Sequence, residues 1–171
     1  MYDPTIFENL KVTFENQVYD LDNIERQITI TNRVDRMDFA VLSRDFSIGF
    51  TLTNQPNVTA EIELQTSLED LAGEILEQPG ENLGCFLSLR FHKHVQDVPT
   101  QCKQIEQVLN TIWENEARIT QTLSFVYEQE ASSHLNIVQL QFNQKINEEH
   151  ISDIPEFLEH VLQTLKVLNE I

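Results

Sequence analysis

Arg90-Phe91-His92-Lys93-His94 is the segment of this chain whose residue types and spacing come nearest to chemistry. On a strand, residues two apart point the same way, so Arg90, His92 and His94 share one face while Phe91 and Val95 share the other. Two imidazoles at that spacing can act as two ligands of Zn²⁺ or another borderline metal. A third ligand would come from Glu61 or Glu63 on a paired strand, or from His134, His150 or His160. The same residues also have an ordinary reading. Arg90 and Lys93 bring positive charge that opposes a cation, and a solvated or ion-paired strand face is a common home for histidine. The expectation is no metal and no cofactor, with Glu61, Glu63, His92 and His94 as the positions to check.

Other reaction types find less support. General acid/base chemistry needs a carboxyl displaced by burial or by a close partner. The pairs Glu61/Glu63, Glu114/Glu116 and Glu148/Glu149 arise readily in an acidic chain and read as exposed charge. There is no Gly-x-Ser-x-Gly elbow, neither cysteine has a neighbouring histidine, and four glycines form no phosphate-cradling loop. No catalytic or cofactor-binding residue is assigned.

The 171 residues fit one domain spanning 1–171, long enough to bury a core without disulfides or metals. A hydrophobic fraction of 40% with Gly 4 and Pro 5 argues for a packed chain with few long loops. The formal charge of −17, from 28 acidic and 11 basic residues, repels phosphate backbones and anionic bilayers. Neither nucleic acid nor membrane is expected as a partner. Arg26, Arg33, Arg36 and Arg44 are interleaved with Glu25, Asp35, Asp38 and Asp45, a mixture that makes surface ion pairs rather than a basic patch. Cys85 and Cys102 read as small buried hydrophobes in a reduced compartment. With no basic-then-apolar leader after Met1 and no apolar run near the roughly 18 residues of a span, the chain reads as cytoplasmic.

The elements that must position these residues follow from periodicity. Asp3-Pro4 marks a helix start, and a short helix leading into a strand at Leu10, Val12 and Phe14 is expected. Ile6, Leu10, Phe14 and Val18 also recur at helical spacing. Gln27–Asn32 reads as a strand and residues 34–44 as a short helix through Met37, Ala40 and Val41. Phe46, Ile48, Phe50 and Leu52 alternate with polar residues, as do Val58, Ala60, Ile62 and Leu64, giving a hairpin. A capping box at Ser67–Asp70 opens a helix over 67–78 that stops at Gln78-Pro79-Gly80. A strand over 85–95 leads to a helix entered at Asp97-Val98-Pro99. A second hairpin, from Ile119–Glu128 through Gln129–His134 to Leu135–Phe142, leads to a helix entered at Asp153-Ile154-Pro155, with Asp153 as N-cap and Glu156 closing the box. These two strand-then-helix units suggest an internal pseudo-repeat.

The expected fold class is α+β: a mainly antiparallel sheet with two or three helices on one face, as a two-layer sandwich. At the level of element order alone, with no shared motif, this acidic chain resembles small dimeric secretion chaperones. The expected function is a non-catalytic interaction or chaperone-like module that binds a protein partner or itself. The rival is a small-molecule-binding protein or metal-assisted hydrolase using the Arg90/His92/His94 face. The strand positions opposite the apolar ones carry hydroxyls and amides, and the expected binding face comprises Thr51, Thr59, Arg90, His92, Thr122 and Gln139.

Overall fold

Alternation of apolar and polar residues produces strands with one side for the core and one for water, and it is clearest over Phe46–Leu52, Val58–Leu64 and Leu87–Phe91. The computed structural model describes residues 5–77, 83–129 and 133–171. The strands are β1 (Ile28–Asp38), β2 (Ser43–Leu52), β3 (Gln55–Thr66), β4 (Phe86–Val95), β5 (Ala117–Ser124) and β6 (His134–Phe142). They form one sheet in the order β1-β2-β3-β4-β6-β5, with every neighbouring pair antiparallel. Register aligns the apolar positions into rows. Ile48, Ile62, Leu89, Leu140 and Ile119 face one another across five strands.

Those rows are buried by helices. Helix α1 (Thr5–Asn23) contributes Phe7, Leu10, Phe14 and Val18, α3 (Val98–Trp113) contributes Ile105, Leu109 and Trp113, and α4 (Ile154–Glu170) contributes Val161, Leu165 and Leu168. All belong to one apolar cluster with the sheet residues. The chain is therefore an α+β fold with helices packed on an antiparallel sheet.

Several local expectations are corrected. The N-terminal segment does not turn from helix into strand: α1 runs for 19 residues, because Phe7, Leu10, Phe14 and Val18 form a helical stripe while Val12 faces water. The Asp3-Pro4 start lies outside the described residues. Residues 34–44 are not a helix either. β1 continues to Asp38 and pairs with β2 as far as Asp38↔Ser43, so long-range pairing overrides weak local propensity. The connecting turn carries Leu42 at φ 53° and exposes Phe39, Val41 and Leu42.

Helix α2 (Leu68–Ile75) is capped as expected, with the Asp70 amide donating to Ser67 Oγ, but it does not join the shared core. Its buried residues are Asp70, Leu71 and Gly73, while Leu68, Ile75 and Leu76 are exposed. A charged contact sets this orientation: Lys145 Nζ donates to the buried Asp70 carboxylate at 2.6 Å. The expected stop at 78–80 lies outside the described residues, as does part of the β5–β6 connection.

The two Asp-x-Pro helix entries are not equivalent. Asp97 accepts a bond from the Thr100 amide, whereas Asp153 makes no side-chain cap because a 3₁₀ turn (Glu148–Asp153) precedes α4. Asn147 caps that turn instead, and His150 Nδ1 accepts from the Asn147 amide in return. Upstream, Cys85 and Ile146 exchange both backbone hydrogen bonds, at 2.8 and 2.9 Å. This close approach needs glycine at position 84, since a Cβ there would run into the Ile146 carbonyl.

Leu109 and Leu165 are completely inaccessible. Leu109→Ala and Leu165→Ala should each lower unfolding free energy by about 2–5 kcal/mol in urea titrations. Leu76→Ala, on the exposed side of α2, should stay within about 0.5 kcal/mol of the parent.

Candidate functional site

The side of the sheet opposite the core carries the expected binding residues in three adjoining rows. The first is Thr51, Thr59, His92, Ile137 and Thr122, the second Gly49, Glu61, Arg90, Gln139 and Thr120, and the third Ser47, Glu63, Ser88, Gln141 and Arg118. Period-two alternation puts these residues together, and α1, α3 and α4 bury their apolar sides on the other face. Thr59, Arg90, His92 and Gln139 are half-buried and Thr122 is exposed. Thr51 departs from the expected accessible surface. Set between Thr29 and Thr59, it is 5% exposed.

Arg90 lies at the middle of this face and holds both carboxylates expected nearby. Its Nη2 lies 3.1 Å from Glu61 and contacts Glu63 as a second ion pair. A guanidinium offers several planar donors, so one arginine can serve two carboxylates. Glu61 and Glu63 are thus engaged by Arg90 rather than held beside the imidazoles.

The histidines do not converge. His92 stands opposite Thr59, while His94 Nδ1 lies 3.3 Å from Ser133 Oγ. Of the distant candidates, His134 is at the β6 start, where its Nδ1 is buried without a partner, and Phe125 meets its ring edge-on. His150 belongs to the cap of the 3₁₀ turn and His160 packs against Trp113. Among the described residues, no three His, Cys, Asp or Glu side chains are gathered in a metal-binding group. The side chains gathered on this face are engaged in hydrogen bonds and ion pairs.

Arg33, Arg36 and Arg44 in the N-terminal half are ion-paired. Arg33 reaches Glu15 at 2.6 Å, Arg36 reaches Asp45 at 2.8 Å, and Arg44 bridges Glu8 and Asp35 at 2.9 and 3.3 Å. Lys11 joins this network through Glu8 and Asp35 and ties α1 to the edge of the sheet. Burial alone would raise the Asp35 carboxyl, but Lys11 and Arg44 more than offset it and hold the group below its ordinary range. Asp35 therefore contributes stability above pH 3.8 that is lost as pH falls through its lower folded value.

A second polar cluster lies on the core side. Lys93 alternates inward with Phe91 and Val95 and faces Asn136 across β6. Asn136 Nδ2 donates to Gln121 Oε1 at 2.8 Å, and Gln121 Nε2 donates to the Cys102 carbonyl on α3. Asn136 Oδ1 is buried without a partner. Lys93 is 9% exposed, and burial with no ion pair lowers its pKa. Parity along β4 placed Lys93 beneath the surface, a signal overlooked because lysine reads as exposed.

A groove of about 660 Å³ opens where α3, the β6 end and α4 meet. Its wall includes Trp113, Phe142 and Phe157, whose ring centroids lie 5.6–5.7 Å apart. Glu114, Glu116, Asp153 and Glu156 line it as well. Sequence periodicity alone does not bring these segments together. Phe86 and Phe125 are 49% and 65% exposed.

Comparison with protein-family models, with curated proteins and with solved structures finds no match for this chain.

Lys93 provides a pH test. The folded state holds fewer protons than the unfolded state between the lowered Lys93 pKa and 10.5, so stability contributed by this site rises with pH across that window. Lys93→Met should flatten the rise and increase the melting temperature at neutral pH, by about 2–4 °C for each kcal/mol recovered. Thermal unfolding across the alkaline range measures both.

Proposed function

We propose that this chain is a non-catalytic, chaperone-like interaction module that takes a protein partner or a second copy of itself on the open side of its sheet. The observation that carries this reading is the largely polar surface centred on Arg90, interrupted by Ile137. Serine, threonine, glutamine and histidine offer hydrogen bonds there, while Arg90 neutralises Glu61 and Glu63. In a chain of −17, such a surface lets a second protein approach without meeting unpaired carboxylates. Exposed Phe39, Leu76, Phe125, Val126 and Tyr127 add apolar surface of a kind that marks interaction sites. Both cysteines are free, which agrees with work in the reducing cytoplasm. The acidic surface and the paired arginines speak against nucleic acid and anionic membranes as partners.

The groove beside Trp113 favours a second reading, a small-molecule-binding protein, over metal-assisted hydrolysis at Arg90. Trp113 is the single tryptophan, so its emission reports on that groove. Saturable change on titration with benzylamine, whose ring and ammonium match the aromatic wall and carboxylates, would support this rival.

For the leading reading, Thr59, Gln139 and Gln141 should be replaced together by Lys. These side chains are half-buried or exposed on the open face, so the far-ultraviolet dichroism should stay unchanged. A partner retained by the parent chain from cytosolic extract should be lost from the triple variant. Equal retention by both would show the face to be simply solvated.

A further inference from the structure

The sheet has two terminal strands, and they are built differently. β1 is disrupted between Ile30 and Asn32, and its core-side positions beyond that point include Arg33 and Asp35. A bulge and inward charge are devices that prevent an edge from pairing with another chain. β5 has neither. It pairs with β6 in unbroken register from Ala117↔Phe142 to Ser124↔Leu135. Its sequence, Ala117-Arg118-Ile119-Thr120-Gln121-Thr122-Leu123-Ser124, contains no proline and no acidic residue in a chain carrying 28. Among the described residues no strand lies on the outer side of β5, which leaves its outward backbone groups beside exposed Leu123, Phe125, Val126 and Tyr127.

We infer that β5 pairs antiparallel with β5 of a second copy of this chain, joining two six-stranded sheets edge to edge. This deepens the interaction reading above, on which it rests, by naming the partner and the strand. Directly opposed residues in an antiparallel pair point to the same face, so the two-fold axis must pass through a residue. With the axis at Gln121, Ile119 meets Leu123 on the core side, and Ala117 meets Phe125 if pairing extends one residue. On the open side Thr120 meets Thr122 and Arg118 meets Ser124. Apolar pairs, a small-to-large pair and threonine pairs are favourable cross-strand neighbours. No like charges oppose one another. Gln121 is held inward by Asn136 and the Cys102 carbonyl and leaves the axis clear. The contact is isologous and closes at two copies, while the bulged, charged β1 edges stay outside. Joining the edges also extends the polar face across both copies.

A charge exchange tests the pairing and its register. Thr120 and Thr122 are exposed, so Thr120→Glu/Thr122→Glu and Thr120→Lys/Thr122→Lys should keep the parent dichroism spectrum. Sedimentation should give the parent twice the chain mass of 19.9 kDa and each double variant a single chain mass. An equimolar mixture of the two variants should recover the doubled mass, because each Glu then opposes a Lys. A parent that sediments as one chain at every loading concentration overturns the inference. So do double variants that stay dimeric, or folded variants that fail to pair when mixed. A monomeric parent that still loses its cytosolic partner on Thr59/Gln139/Gln141 substitution would sink only the β5 pairing. A dimer indifferent to that triple substitution, with no other partner lost, would sink only the open-face reading.

Discussion

The structure depends on burying one side of a six-stranded sheet. Alternation along each strand supplies the apolar side, antiparallel register lines its residues into rows, and α1, α3 and α4 cover those rows. Each fully buried leucine or phenylalanine contributes roughly 1.5–3 kcal/mol relative to exposure, so the rows dominate the favourable energetics. The same alternation obliges the other side to carry Thr, Ser, Gln, Arg90 and His92 together. The candidate binding surface and the core are two consequences of one pattern.

Charge enters this arrangement in three ways. At α1, Lys11, Arg44, Glu8 and Asp35 compensate one another and fix the helix to the sheet edge. At the centre of the open face, Arg90 gathers Glu61 and Glu63 and removes their repulsion from the surface. Lys93, by contrast, faces Asn136 on the core side without a counter-charge. Burial also pushes the Cys85 thiol up to about 12, away from thiolate chemistry. The paired charges connect elements, while Lys93 opposes the stability of the core it enters.

Much of this was legible in the residues. The runs at Phe46–Leu52 and Val58–Leu64 carry enough alternation to define strands, and the stripe through Leu158, Val161, Leu165 and Leu168 defines α4. Residues 34–44 were misread because their partner strand, not their own propensity, makes them extended. The Asp153 cap failed because Asn147 starts a turn earlier and takes over the capping. Position parity placed Arg90, His92 and His94 on one face. It could not show that Arg90 would occupy both glutamates, since that depends on how β3 and β4 register. The groove beside Trp113 joins segments near 113, 142 and 157, and no local pattern announces such a meeting.

An interface on the open side of the sheet and its β5 rim would be read by amide hydrogen exchange along β5 at increasing protein concentration, because exchange reports on the rim's outward backbone groups. Amides of Ala117–Ser124 that do not bond β6 should become protected as concentration rises, while outward amides of β1 should not. Fast exchange of those β5 amides at every concentration would contradict that interface.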